Sequence, residues 1–233
     1  DSARAVNEMS EILLERAELE PLADLLEFRI GQTSDRNEIF ELSLRLADVL
    51  VDTAQSEAAR RHVEQALEIS PDDSRALRAH AGLCLDLDDF RAAEGSLVRL
   101  RTLLPEGAER RAVLRSLGDL YQERLGSLEK AMDAYEAILA ETPDDHVVAR
   151  RLVSVFSDLG LAERATTLQT RVIQSVTSED EKRRGALVLA DLYERIGKDS
   201  VRAAATLERT RKAWPLDAEV LAALAGFMER QGD

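Results

Sequence analysis

Four of the five prolines in this 233-residue chain act as a ruler. Pro71 and Pro105 stand 34 residues apart and Pro105 and Pro143 stand 38 apart. Pro143 and Pro215 are separated by 72, the length of one short and one long period together. The proline missing from that last interval would fall at Thr177. The text around the ruler recurs as well. Ala66-Leu67-Glu68-Ile69-Ser70-Pro71-Asp72-Asp73 returns in altered form as Ala137-Ile138-Leu139-Ala140-Glu141-Thr142-Pro143-Asp144-Asp145, and Leu117-Gly118-Asp119-Leu120-Tyr121 returns as Leu189-Ala190-Asp191-Leu192-Tyr193. A repeat of this length is one supersecondary unit that cannot bury its own apolar face, so the units must stack.

Within each period the apolar residues follow helical spacing. Leu114, Leu117, Leu120 and Tyr121 fall on one helix face, Gly126-Ser127 breaks the pattern, and Leu128, Ala131, Tyr135 and Ile138 form a second face. Each Pro-acidic step ends one helix and opens the next. Proline disfavours helix in the residue before it and suits the first turn of a new helix, where no N–H is lost. Asp72, Asp73, Asp144 and Asp145 are placed to cap free N–H groups at the positive end of that helix. With only 11 glycines and 5 prolines the chain lacks the punctuation of a strand-and-turn protein. The expectation is an all-α stack of helix–turn–helix units.

Charge narrows the partners. The chain has 31 basic and 45 acidic residues, a net charge of −14, which argues against nucleic acid and against an anionic membrane surface. No apolar stretch approaches the roughly 18 residues of a membrane span. Cys84 is the only cysteine, so neither an intramolecular disulfide nor a cysteine metal site can form, and a reducing, cytoplasmic setting is expected. The 27 arginines against four lysines point to a GC-rich, bacterial genome. A start at Asp1 rather than methionine reads as a piece of a longer polypeptide.

These residues resemble the tetratricopeptide repeat family, a group of binding scaffolds built from helix pairs of about 34 residues, and the resemblance implies an all-α, right-handed α-solenoid of stacked antiparallel helix pairs. Gly118, Tyr121, Ala131, Tyr135 and Pro143 fit its pattern if one residue is inserted before Gly126. Ala81, Ala93 and Pro105 fit with Cys84 at the aromatic position; Ala47, Ala59, Ala66 and Pro71 fit with Leu50 there. Phe156, Gly160 and Ala165 fit with Thr177 replacing proline, and Ala190, Tyr193, Ala203 and Pro215 complete the fifth repeat. The resulting division is a degenerate leading repeat at 1–35, clear repeats at 36–73, 74–107, 108–145, 146–179 and 180–217, and the first helix of a truncated repeat at 218–233. The longer units hold about three extra residues before their first helix, nearly one turn. A 72-residue double rhythm of longer and shorter first helices follows.

A search for chemistry finds no catalytic constellation. None of His62, His80 and His146 has a second histidine or a carboxylate at the i+4 spacing of a helical metal site. Cys84 falls at a core position, unlike an exposed nucleophile. No enzymatic activity, cofactor or metal is expected. The resemblance instead implies a concave groove lined by the first helices. Its ligand positions fall on Arg75, Arg78, Arg115, Asp119, Arg150, Ser154, Arg184 and Asp191. Arg78, Arg115 and Arg150 form a ladder suited to acidic side chains of a peptide or protein ligand, because a guanidinium can grip a carboxylate bidentately. The competing reading is internal neutralisation, with Arg115 pairing Asp119 one turn on, while Arg78 and Arg150 lack a local partner. A regulatory peptide-signal receptor and a structural spacer or oligomerisation array attached to a catalytic domain are the alternatives to a scaffold. In the last helix, Leu221, Leu224, Phe227 and Met228 should leave an apolar face bare for end-to-end self-contact.

Overall fold

The structure, a computed structural model, describes the backbone of residues 2–232 and the side chains of residues 8–232. Asp1 and Asp233, the outermost residues of the leading and truncated repeats, lie outside the described residues. Among the described residues thirteen α-helices follow one another: α1 Ser2–Glu15, α2 Leu19–Gln32, α3 Arg36–Asp52, α4 Ser56–Ile69, α5 Ser74–Asp86, α6 Phe90–Leu103, α7 Ala108–Leu120, α8 Leu128–Glu141, α9 His146–Asp158, α10 Ala162–Ser175, α11 Glu179–Asp191, α12 Ser200–Ala213 and α13 Ala218–Gln231. Two π-helical turns, Tyr121–Leu125 and Leu192–Ile196, continue α7 and α11. The fold is an α-solenoid. Among the described residues no helix is long and apolar enough to cross a membrane.

The helices form two compact units, 1–113 and 114–233, divided inside α7. In the first, Leu22 and Leu26 of α2 pack with Leu46 and Leu50 of α3 and Val63 of α4, all buried. In the second, Ala190, Ala203, Leu207 and Phe227 join α11, α12 and α13. One position recurs in both units. Ala59, Ala93, Ala131, Ala165 and Ala203, each in the first two turns of the second helix of a pair, are completely buried. A methyl group there lets two helices approach closely, and a larger side chain would overpack the crossing.

Within each helix pair the turn is built around one left-handed residue: Ala17, Ala54, Asp88, Gly126, Gly160 and Lys198, with φ between 52° and 71°. The next residue donates its N–H back to the first helix. Gln55, Asp89 and Leu161 reach Leu50, Cys84 and Phe156, five residues back, while Ser127 and Asp199 reach Tyr121 and Tyr193, six back. The accepting residues are those at the aromatic position of the repeat. The residue inserted before Gly126 is therefore absorbed as a π-helical turn, and the same insertion recurs after Leu192. First-helix lengths alternate too. α3 has 17 residues, α5 13, α7 with its π turn 18, α9 13 and α11 with its π turn 18.

Two details differ from expectation. Of each aspartate pair only the second caps: Asp73 accepts from the N–H groups of Arg75 and Ala76, and Asp145 from Val148. Asp72 instead accepts from Arg99 at 2.5 Å. In α13, Phe227 is buried and Leu224 packs beside it, because the preceding helix pair takes this face of α13. Only Leu221 and Met228 remain exposed, so the bare face is narrower than the spacing predicted.

Candidate functional site

In the second unit, α9 and α11 flank a cavity of about 380 Å³ backed by α10. Its inner wall holds the buried residues Val153, Val172, Val176 and Leu192, together with the exposed Val188. Gly185 brings α11 close to α10. A Cβ there would stand 2.8 Å from Cγ1 of Ile173, and the buried Gln169 amide donates to the Gly185 carbonyl at 2.9 Å. Charges line the rim. Arg150 pairs with Glu181 at 2.7 Å, Arg184 with Asp180 at 3.0 Å and Asp191 with Arg195 at 3.5 Å. The Asp180 carboxyl is held below the usual carboxylate range, first by its hydrogen bond from Arg183 and further by the charge of Arg184. Ser154 accepts a 3.4 Å hydrogen bond from Gln122. The groove thus offers an apolar slot between charged edges.

Four of the eight sequence-derived site residues, Arg150, Ser154, Arg184 and Asp191, line this one cavity. Arg75 and Arg78 belong to the other unit. Arg75 stacks on Phe40 at 5.3 Å and makes two hydrogen bonds to Glu41, which raise its pKa further above the ordinary arginine value. Arg115 and Asp119 lie on α7 and take no part in the α9–α11 cavity.

The expected Arg115–Asp119 pairing gives way to a different one. Arg115 pairs with Asp145 at 2.6 Å, and Asp119 accepts instead from the buried Tyr135 hydroxyl at 2.6 Å. Arg78 and Arg150 also have carboxylate partners, Glu109 at 3.2 Å and Glu181 at 2.7 Å. In all three pairs the carboxylate lies 30 or 31 residues further on, in the first turn of the following first helix or, for Asp145, just before it. A local i+4 search cannot see such pairs. The apolar wall was equally hidden, although Gly185, isolated inside a helical pattern, marks a close approach of another element.

His80 and Cys84 pack against each other one helical turn apart. His80 Nδ1 lies 2.7 Å from Ser96 Oγ, and Cys84 Sγ lies 3.6 Å from the His80 ring. Burial pushes the Cys84 thiol up to about 11. Among the described residues no three histidine, cysteine or acidic side chains come together as a metal site.

Stacked helix pairs, a conserved turn geometry within the chain and a side groove define a helical-repeat solenoid. Residues 40–73 match the sequence profile of the tetratricopeptide repeat, and the helix pairs on either side of that segment form a solenoid similar to those of tetratricopeptide-repeat proteins. No protein of curated function matches the sequence. Among solved structures, YrrB, described as a tetratricopeptide-repeat protein with an unusual peptide-binding site, is 13% identical. The match covers 86% of this chain and 98% of YrrB at a TM-score of 0.59. MamA is 15% identical over 78% of this chain and 93% of its own, also at 0.59. A chain in the Naa15/Naa10 complex bound to HypK-THB is 18% identical and gives 0.70, covering all of this chain but 34% of that one.

Proposed function

We propose that this chain is a non-catalytic scaffold that binds a peptide segment of a partner protein in the α9–α11 groove. The observation that carries this reading is the gathering of Arg150, Ser154, Arg184 and Asp191 around one apolar slot. An apolar side chain of the ligand enters beside Val188, and a ligand carboxylate exchanges with Glu181 for Arg150. That exchange is cheap, because an exposed ion pair contributes only about 0–1 kcal/mol. The peptide-binding site named for YrrB and the HypK complex of Naa15 support a scaffold role by fold likeness.

The test compares capture of native partners by the wild type, by Val188→Glu and by the triple variant Arg78→Ala/Arg115→Ala/Arg150→Ala, with helicity verified by circular dichroism. A partner held by the wild type and lost on Val188→Glu supports the groove. Loss on the triple variant as well assigns acidic character to the ligand. Equal capture by all three rejects the reading.

A further inference from the structure

A second surface, sharing no lining residue with the α9–α11 groove, runs between α8 and α10. It is a cavity of about 580 Å³ floored by Leu139, Ala140, Leu152, Phe156 and Leu168. Arg164 roofs one end. Its guanidinium stacks over Phe156 at 4.3 Å, pairs with Glu136 of α8 and approaches the Met132 sulfur at 3.3 Å. Two other charges on α10 border the same cavity and are exposed: Glu163 and Arg171. Neither has an ion pair among the described residues; Arg171 only reaches the Pro143 carbonyl oxygen at 3.4 Å. Both also border a neighbouring cavity lined by Thr166, Thr170, Tyr193 and Arg202. The outer face of α10 is therefore a ridge between two hollows, carrying an uncompensated acid near its start and an uncompensated base near its end.

From this arrangement we infer that the α8–α10 face docks an amphipathic helix of a partner protein, lying antiparallel to α10. The apolar floor takes side chains at i, i+3, i+4 and i+7 of such a helix. Glu163 and Arg171 are eight residues apart, about 12 Å along the axis at 1.5 Å per residue. They ask for a base and an acid at that separation. A helix favours acids in its first turn and bases in its last. Its acidic start thus falls over Arg171 and its basic end over Glu163, which fixes the direction.

The probe is a pair of fluorescein-labelled peptides of 14 residues, the length of α8 and α10. One has leucine at the four apolar positions, glutamates in the first turn and lysines in the last; the other is its charge-reversed twin. The wild type should bind the first about tenfold more tightly than the second, since like charges juxtaposed at an interface weaken binding. The double variant Glu163→Arg/Arg171→Glu should invert that preference. Ala140→Trp, which fills the floor from an exposed position, should abolish binding of both, and Val188→Glu should leave it unchanged. Absence of binding to the wild type, equal affinity for the twins, or binding that survives Ala140→Trp overturns the inference. Loss on Val188→Glu does so too, by placing the peptide in the α9–α11 groove.

Discussion

The ring of Tyr135 fills the space in which a side chain at Gly118 would stand: a Cβ there would lie 2.4 Å from the ring carbon Cε1. The ring is fully buried, and its hydroxyl donates to Asp119 at 2.6 Å. Gly118→Ala must therefore drive α7 and α8 apart or force the ring out of place. Overpacking of this kind costs about 1–3 kcal/mol. Tyr135→Phe keeps the ring and removes only the hydroxyl, which faces Asp119 at 2.6 Å and the Gln122 amide oxygen at 3.2 Å, two groups that still reach water, a loss of about 1 kcal/mol. Urea denaturation should rank Gly118→Ala as the more damaging, with the midpoint lowered and the slope unchanged.

The Arg78–Glu109, Arg115–Asp145 and Arg150–Glu181 pairs each tie one first helix to the start of the next, yet all three arginine side chains are about half exposed. Exposed pairs contribute about 0–1 kcal/mol each. The triple alanine variant should stay folded and helical. Arg183 is the contrast: it is buried among Asp180, Asp217 and Glu219 and links α11 to the start of α13. Removing it leaves three carboxylates facing one another. Arg183→Ala should lower the thermal midpoint more than any single member of the triple set. Arg183→Lys should recover only part of the loss, because one ammonium cannot reproduce a planar fork.

Ala54 joins α3 to α4 with φ of 59°, a conformation that Gly126 and Gly160 fill without a side chain in the equivalent turns. The left-handed region costs a non-glycine residue about 1–2 kcal/mol. Glycine gives back about 0.5–1 kcal/mol through the greater freedom of its unfolded chain. Ala54→Gly should therefore stabilise the protein by about 0.5–1 kcal/mol, seen as a higher urea midpoint. The same change at an interior helical position such as Ala79 of α5 should destabilise it.

The solenoid was legible because its determinants are local and repeated: the proline spacing, the buried alanines and the aromatic position each recur within one period. The insertion before Gly126 was legible as a count, but its conversion into a π turn depends on which carbonyl closes the loop. The site was only half legible. Positions carried from the family brought Arg150, Ser154, Arg184 and Asp191 together, because one helix face repeats at a fixed register. The partners of the arginines were not legible, since each lies 30 or 31 residues away, beyond any i+4 rule. Nor was the wall of the groove, where Val172 and Val176 come from the α10 side.

Cys84 is completely buried, and burial raises its thiol from the ordinary 9.0 to about 11. Tyr135 shifts in the same direction, first through burial and then through its hydrogen bond to Asp119. Both groups are harder to ionise in the folded chain than in the unfolded one. Their contribution to stability is fully present below the unfolded values and is lost as pH rises through the folded ones. The wild type should lose stability from about pH 9 upward. Cys84→Ala should flatten the part of that decline between about 9 and 11, and Tyr135→Phe the part above about 10. Near pH 8 a thiol reagent should leave the native protein almost unmodified. It should react at the rate of unfolding once urea is added, because the thiolate forms only where water reaches the sulfur. Rapid modification of the native protein at that pH would place Cys84 at an accessible surface and remove the basis of the Cys84 part of the alkaline prediction.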